Sequence, residues 1–138
     1  MAQLVPPHGS PTLKPLLAPE PDRAAGLERA KALKAVPLSS REVSDLFMFA
    51  MGAYTPLDGF MGEADWRGAC VDMKLADGLF WPIPITASCA PDLADSIAIG
   101  DDVALRDEDG AILGILTVSE KYGIDKALEC QSVYGTTD

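Results

Sequence analysis

The sequence has very little of what a metal site or a disulfide framework requires. It contains one histidine, His8, and three cysteines, Cys70, Cys89 and Cys130, which lie far apart with no C-x-x-C pair. A structural zinc site needs several closely spaced cysteine and histidine ligands, so this composition excludes one within the chain. We interpret the cysteines as buried free thiols of a reducing compartment. A reactive or regulatory thiol and a disulfide are the alternatives.

Long apolar runs are also missing. No stretch approaches the ~20 apolar residues that a membrane helix requires. Residues 1–19 are interrupted by five prolines and resemble neither a signal peptide nor an arginine-rich transit sequence. Because proline removes backbone donors and disfavours helix at the preceding residue, this segment is predicted to be an extended arm that lies against the rest of the chain. We expect a cytoplasmic protein with no membrane partner.

Basic residues are scarce: 11 lysines and arginines face 21 acidic residues, giving a net charge of −10. Residues 87–138 hold eleven of the acids and only three basic residues, Arg106, Lys121 and Lys126. An acidic surface repels phosphate backbones, so we expect no nucleic-acid partner. Five basic residues between Arg23 and Arg41 are interpreted as a solvated helix face, with an anion site as the alternative.

Known phosphate and calcium motifs are absent too. Gly52, Gly59 and Gly62 do not follow a buried strand and do not match G-x-G-x-x-G, so they indicate turns rather than a nucleotide cradle. The acidic segment 101–109 could bind a divalent cation, but Leu116 stands where a calcium loop needs glutamate, which favours a solvated hairpin tip. His8 could be a ligand, but it is the one histidine of the chain, so we interpret it as structural or solvated and assign it no role.

Two helices are predicted before residue 52. The first extends from about Pro21 to Val36, with Asp22 as a cap and Pro37 as a stop. The second begins at Ser39-Ser40-Arg41-Glu42, which has the spacing of a capping box, and ends before Gly52 in a left-handed cap. Its apolar stripe, expected to face the core, comprises Val43, Leu46, Phe47, Ala50 and Met51.

An irregular loop follows the second helix. Thr55-Pro56 disfavours helix and Asp58-Gly59 is typical of a turn, so the large side chains between them should anchor the loop. Those side chains are Tyr54, Leu57, Phe60 and Met61. A third helix is predicted from Asp65 to about Met73, with Trp66, Ala69, Cys70 and Met73 on one face. Tyr54, Trp66 and Trp81 are interpreted as core or loop anchors, with a base-stacking surface as the alternative.

Strand-like periodicity begins at Phe80. Trp81, Ile83 and Ile85 alternate with Pro82, Pro84 and Thr86, which predicts an edge strand. Val103 and Leu105, the acidic turn 107–110 and residues 112–118 predict a β-hairpin. Short strands mixed with helices, without regular βαβ alternation, indicate an α+β domain around a small, partly closed barrel.

Four segments in this order resemble the N-terminal region of ATP sulfurylase (sulfate adenylyltransferase). They are Arg41-Glu42-Val43-Ser44-Asp45-Leu46, Gly52-Ala53-Tyr54-Thr55-Pro56-Leu57-Asp58-Gly59-Phe60-Met61, Phe80-Trp81-Pro82-Ile83-Pro84-Ile85-Thr86 and Val133-Tyr134-Gly135-Thr136-Thr137-Asp138. The resemblance covers nearly the whole chain. It implies a PUA-like N-terminal domain over residues 1–138, with 1–19 as its arm and a catalytic domain expected after 138.

The family joins sulfate to the adenylyl group of ATP, releasing pyrophosphate, and the reaction is reversible. The resemblance implies a homo-oligomer, with the chain's own catalytic domain as partner and ATP with Mg²⁺ as substrate of the full-length enzyme. The family's Gln-x-Arg-Asn-Pro and His-x-x-His segments do not occur here. We therefore assign no catalytic, substrate-binding or metal residue and no cofactor to this chain. A stand-alone PUA-like binding or oligomerisation module is the alternative.

Overall fold

The computed structural model describes residues 4–137, which form five helices and three strands. The first three residues of the predicted arm and the acidic Asp138 lie outside the described residues. The residues divide into two compact units. The first contains the chain up to Gly59 together with Ala87–Val118, and the second contains Phe60–Thr86 and the chain from Ser119 onward.

The first unit is built on a mixed three-stranded sheet. Its elements are α1 (Glu20–Ala30), β1 (Ala35–Pro37), α2 (Ser40–Met51), α4 (Pro91–Asp95), β2 (Asp102–Arg106) and β3 (Ile112–Thr117). The strand order is β1-β2-β3, with β1 parallel to β2 and β2 antiparallel to β3. The hairpin prediction is confirmed, including the turn at 107–110. The predicted partly closed barrel is not confirmed, because the sheet formed by the described residues is open.

The core of this unit lies between the sheet and the helices. Val103, Ala104 and Leu105 of β2 are buried one after another, as expected for a central strand covered on both faces. Val36 and Phe49 are buried as well.

The predicted first helix is wrong in its cap and at its C-terminal end. It begins at Glu20 after Pro19, and no side chain caps it, so Asp22 lies in its first turn and is not the cap. The helix stops at Ala30, and Val36 lies in β1, paired with Leu105. Ala104 N donates to Lys34 O (2.8 Å) and Leu38 N to Arg106 O (2.7 Å). Burial of Val36 and these sheet bonds outweigh the local helix propensity, which is a weak preference of tenths of a kcal/mol per residue.

The second helix has the predicted ends, but its buried face is different. Ser39 and Glu42 form the capping box and Gly52 adopts φ 80° as the C-cap, which confirms both predictions. The buried residues are Glu42, Asp45 and Phe49, whereas Phe47 and Met51 of the predicted stripe are exposed. The prediction failed because it excluded carboxylates from the core face.

The second unit contains α3 (Glu63–Asp72) and α5 (Lys126–Tyr134). Trp66, Ala69 and Cys70 of α3 are buried, as predicted, but Met73 ends the helix in a left-handed conformation and is exposed. The predicted strand after Phe80 is wrong. Phe80 forms one isolated bridge with Lys74, and the burial of Pro84 breaks the alternation. Pro82 and Pro84 have no N–H groups, so this segment cannot form a continuous ladder of backbone hydrogen bonds.

None of the helices in the described part of the chain combines the length and apolar character needed to cross a membrane.

Candidate functional site

The segment that carries the strongest sequence signal, the loop after α2, is held by its own helix and by the arm. Ala53 N donates to Met48 O (2.9 Å), which closes the last turn of α2. A Cβ on Gly52 would lie 3.0 Å from the backbone nitrogen of Pro15. Gly52 is therefore required both by its positive φ and by the close approach of the arm.

The arm is bound to this loop mainly through backbone groups. Lys14 N donates to Thr55 Oγ1 (2.9 Å), and Thr55 Oγ1 donates to Gly52 O (2.6 Å). The Lys14 ammonium is also paired with the Asp58 carboxylate. The Thr55–Pro56 peptide bond is cis. Residues 14–17 thus lie against the loop and the end of α2, as expected for an arm without regular structure of its own.

In the first turn of α2, Glu42 is a buried carboxylate that accepts four hydrogen bonds. Ser39 N (2.8 Å) and Ser39 Oγ (2.7 Å) donate to Oε2, and Ser88 N (2.7 Å) and Ser88 Oγ (2.8 Å) donate to Oε1. Only 2% of Glu42 is exposed. Burial raises the pKa of Glu42, but the hydrogen bonds from Ser39 and Ser88 outweigh it, so the pKa is lower than usual. Glu42 is therefore ionised and joins the start of α2 to residue 88.

A second polar group connects α2 to the loop. Tyr54 Oη donates to Asp45 Oδ1 (2.7 Å), and Arg41 Nη1 donates to Asp45 Oδ2 (3.0 Å). Burial and the Asp45 carboxylate raise the pKa of Tyr54 to about 12, which keeps its hydroxyl protonated as a donor. The ring of Tyr54 also packs edge-on against Phe49, with centroids 5.1 Å apart. Tyr54 therefore anchors the loop, as predicted.

Tyr54→Phe is expected to lower the free energy of unfolding by about 1.5–2 kcal/mol, because it leaves one oxygen of a buried carboxylate without its donor while keeping the ring packed. Urea unfolding followed by circular dichroism would measure the loss. Tyr134→Phe, which changes an exposed tyrosine, is the matched control and should have no measurable effect. Equal effects of the two substitutions would contradict the anchoring role.

In the second unit, two aromatic side chains are held by α5 and by the chain before α3. Trp66 Nε1 donates to Glu129 Oε2 (2.6 Å), and Tyr122 Oη donates to Met61 O (2.6 Å). The Trp66 and Tyr122 rings lie with centroids 6.2 Å apart. Burial, together with nearby carboxylates such as Glu120, raises the pKa of Tyr122 to about 12. These contacts confirm that Trp66 is a core anchor.

The three cysteines are all free thiols but differ in exposure. Cys70 is buried, and burial together with the negative charge of Glu129 raises its pKa to about 11. It therefore remains protonated at neutral pH and is a poor nucleophile. Cys130 is half-buried. Cys89 is exposed, so the expectation that all three are buried is wrong for that residue.

The acidic residues of segment 101–109 bind neighbouring backbone groups and one arginine. Asp107 Oδ1 accepts from Asp109 N (3.1 Å) and Ala111 N (2.8 Å), which shapes the hairpin turn. Asp102 accepts from Thr117 Oγ1 (2.5 Å) and Arg29 Nη1 (2.7 Å), and these bonds lower its pKa. Within residues 4–137, no group of three or more His, Cys, Asp or Glu side chains is arranged to hold a metal ion.

These contacts indicate a structural role for the polar residues near the loop. Glu42, Asp45 and Tyr54 each bond to groups of the chain itself. His8 lies exposed in the arm. Sequence reasoning identified Glu42 as a cap but missed its burial and its partner Ser88, because the two residues are 46 positions apart.

A family model described as a PUA-like domain matches residues 5–138. The helices and the mixed three-stranded sheet agree with this class of domain. A solved structure described as a hexameric APS kinase from Thiobacillus denitrificans is similar with a TM-score of 0.75 and 38% identity, over 88% of this chain and 24% of that chain. By its fold the chain is a PUA-like domain.

Curated relatives identify the family. The sulfate adenylyltransferase of Syntrophobacter fumaroxidans is 56% identical over 140 residues, covering 100% of this chain and 34% of that protein. The sulfate adenylyltransferase of Psychrobacter sp. (strain PRwf-1) is 54% identical, covering 98% and 33%. The chain belongs to the sulfate adenylyltransferase family, as the resemblance predicted, and corresponds to its N-terminal domain. It spans about a third of the length of the curated relatives it matches.

Proposed function

We propose that this chain is the architectural domain of a sulfate adenylyltransferase whose chemistry is carried by the remaining part of the protein. The observation that carries the proposal is identity above 50% along the whole chain to proteins of that name, of which it spans about a third. The polar residues around the loop after α2 support it, because they bond within the domain. The proposed reaction of the larger protein converts ATP, bound with Mg²⁺, and sulfate to adenosine 5′-phosphosulfate and pyrophosphate.

That reaction transfers an adenylyl group, so its transition state needs cationic and hydrogen-bonding groups around the phosphates. In this chain Arg41 is paired with Asp45 and approaches Glu42 (3.7 Å). Lys14 is paired with Asp58, and Arg29 with Asp102. These three cations are neutralised by carboxylates of the same unit, which favours a supporting role over phosphate binding.

The 138-residue chain is expected to form no adenosine 5′-phosphosulfate above background when supplied with ATP, Mg²⁺, sulfate and pyrophosphatase. Release of phosphate would be followed in a coupled assay, with the full-length S. fumaroxidans relative as the positive control. Sulfate-dependent turnover by the chain alone would contradict the proposal that the remaining part of the protein carries the chemistry.

A chimera tests the supporting role directly. When the matching third of the S. fumaroxidans relative is replaced by this chain, activity is expected to stay within about tenfold of the parent. A domain that failed to support the catalytic groups would displace them, and a displacement of about 1 Å lowers the rate on the order of a hundredfold. A folded chimera without activity would contradict the proposal.

We also propose that the protein is cytoplasmic and forms a homo-oligomer. The description of the T. denitrificans neighbour as hexameric supports self-association. Closure of the sheet into a small barrel stays a prediction.

A further inference from the structure

A groove of about 570 Å³ lies within the second unit, between α3 and the turn that follows it. We call it the α3 groove. Its polar lining side chains are Arg67 and Asp72 of α3 and Lys74 of the turn, and its apolar wall includes the buried Leu75. The other lining residues are alanines and glycines, so a ligand can approach the backbone closely. The volume is within the range of small-molecule sites, roughly 300–1,000 Å³.

Backbone hydrogen bonds hold the turn against α3. Lys74 N donates to Gly68 O (3.1 Å), which places Lys74 beside the residue that follows Arg67. Leu75 N donates to Leu79 O (2.8 Å), which closes the turn. The walls of the α3 groove are therefore formed before a ligand binds, and a preformed site loses less conformational entropy on binding.

Neither cation of the α3 groove is neutralised by the chain. Among residues 4–137, the side chains of Arg67 and Lys74 make no hydrogen bond and no ion pair. Asp65 lies close to the turn, but its Oδ1 accepts from Ala76 N (2.8 Å). The chain has 21 acidic and only 11 basic residues, so carboxylates are in excess. Two adjoining cations that none of these carboxylates neutralises indicate a site for an external anion.

The residue types in the α3 groove fit a phosphate group. The planar guanidinium of Arg67 can donate to two phosphate oxygens at once, and the ammonium of Lys74 adds a point charge and further donors. Asp72 is the one carboxylate of the lining, so two cations and one carboxylate give the groove a net charge of +1. That small positive charge favours a ligand with a single phosphate group over a polyphosphate.

We propose that the α3 groove binds the phosphate group of a small molecule, with Arg67 and Lys74 as its donors. This inference goes beyond the proposed function, which assigns no ligand to the domain. The phosphate group can come from inorganic phosphate or from a phosphate ester such as a nucleoside monophosphate. The experiment separates these two sources.

The test is an NMR titration of the 138-residue chain, read from the backbone amide resonances of residues 67–78 at constant low ionic strength. Inorganic phosphate and AMP are the two phosphate ligands, and a peptide of four glutamates represents an acidic protein segment. Arg67→Gln and Lys74→Gln each remove one cation from the α3 groove. Lys126→Gln is the matched control, because Lys126 is also exposed in the second unit and is not among the lining residues. Far-UV circular dichroism checks folding of every variant.

We expect the phosphate ligands to shift these resonances with a dissociation constant on the order of 1 mM, because the cations are exposed and exposed charge pairs are weak. Arg67→Gln and Lys74→Gln should each raise the dissociation constant by at least about fivefold. Lys126→Gln changes the net charge equally but should alter it by less than about twofold. Asp72→Asn removes a repelling carboxylate and should lower it by about twofold to threefold.

Tighter binding of AMP than of inorganic phosphate identifies a phosphate ester as the ligand, and equal or weaker binding of AMP identifies the inorganic anion. The absence of shifts with both ligands overturns the inference, and so do shifts that Arg67→Gln and Lys74→Gln leave unchanged. Tighter binding of the glutamate peptide than of either phosphate ligand overturns it as well. None of these results affects the coupled assay or the chimera, so failure of this inference is distinguishable from failure of the proposed function.

Discussion

Gly68→Ala is expected to lower the free energy of unfolding by about 3 kcal/mol, because the added methyl group meets backbone rather than a movable side chain. A Cβ at this position of α3 would lie 2.3 Å from the carbonyl oxygen of Lys74. The same turn is closed by a bond from Lys74 N to Gly68 O (3.1 Å). Relieving the clash therefore requires the chain after α3 to move and this bond to lengthen.

Gly26→Ala is the matched control, because Gly26 also lies inside a helix, α1, and a Cβ there meets nothing within 4 Å. It should stabilise the protein by up to about 1 kcal/mol, through the higher helix propensity of alanine. Urea unfolding monitored by circular dichroism measures the free energy of unfolding of both variants. Equal stabilities of the two variants would show that the contact of Gly68 with residue 74 is not close in solution.

Glu42→Ala is expected to cost about 3 kcal/mol, since it removes four hydrogen bonds to a buried, ionised carboxylate and with them the capping box of α2. Glu42→Gln should cost about 2 kcal/mol, because the amide keeps the shape but turns an NH₂ group toward donors. Glu108→Gln, at the exposed hairpin tip, is the control and should change stability by less than about 0.5 kcal/mol.

The pH dependence of the free energy of unfolding distinguishes the contribution of the buried Glu42 charge from that of side-chain packing. The pKa of Glu42 is lower in the folded than in the unfolded chain. Ionisation of Glu42 therefore stabilises the fold fully at pH values above the pKa of the unfolded chain, and this stabilisation is lost as the pH falls through the pKa of the folded chain. The stability difference between the unmodified chain and Glu42→Gln should therefore shrink on acidification. A difference that does not change with pH would mean that the carboxylate charge contributes nothing.

Much of the local structure could be predicted because it depends on near neighbours in the chain. The capping box of Ser39 and Glu42, the left-handed Gly52 and the hairpin at 107–110 each involve residues within a few positions of one another. Helix α5 was missed, although its sequence carries a signal: Asp125 caps Leu128 N (3.0 Å) and Gly135 ends the helix at φ 74°. The same cap rules applied to residues 125–135 would have found it.

The family, the caps and the hairpin were therefore determined by the sequence alone, since turn residues, capping spacing and characteristic segments act over short distances. The tertiary structure decided three further features: the parallel pairing of Val36 with Leu105, the choice of Glu42 and Asp45 for the buried face of α2, and the bond of Ser88 to Glu42. Each depends on residues far apart in sequence, whose burial and hydrogen bonds outweigh local preference once the chain has folded.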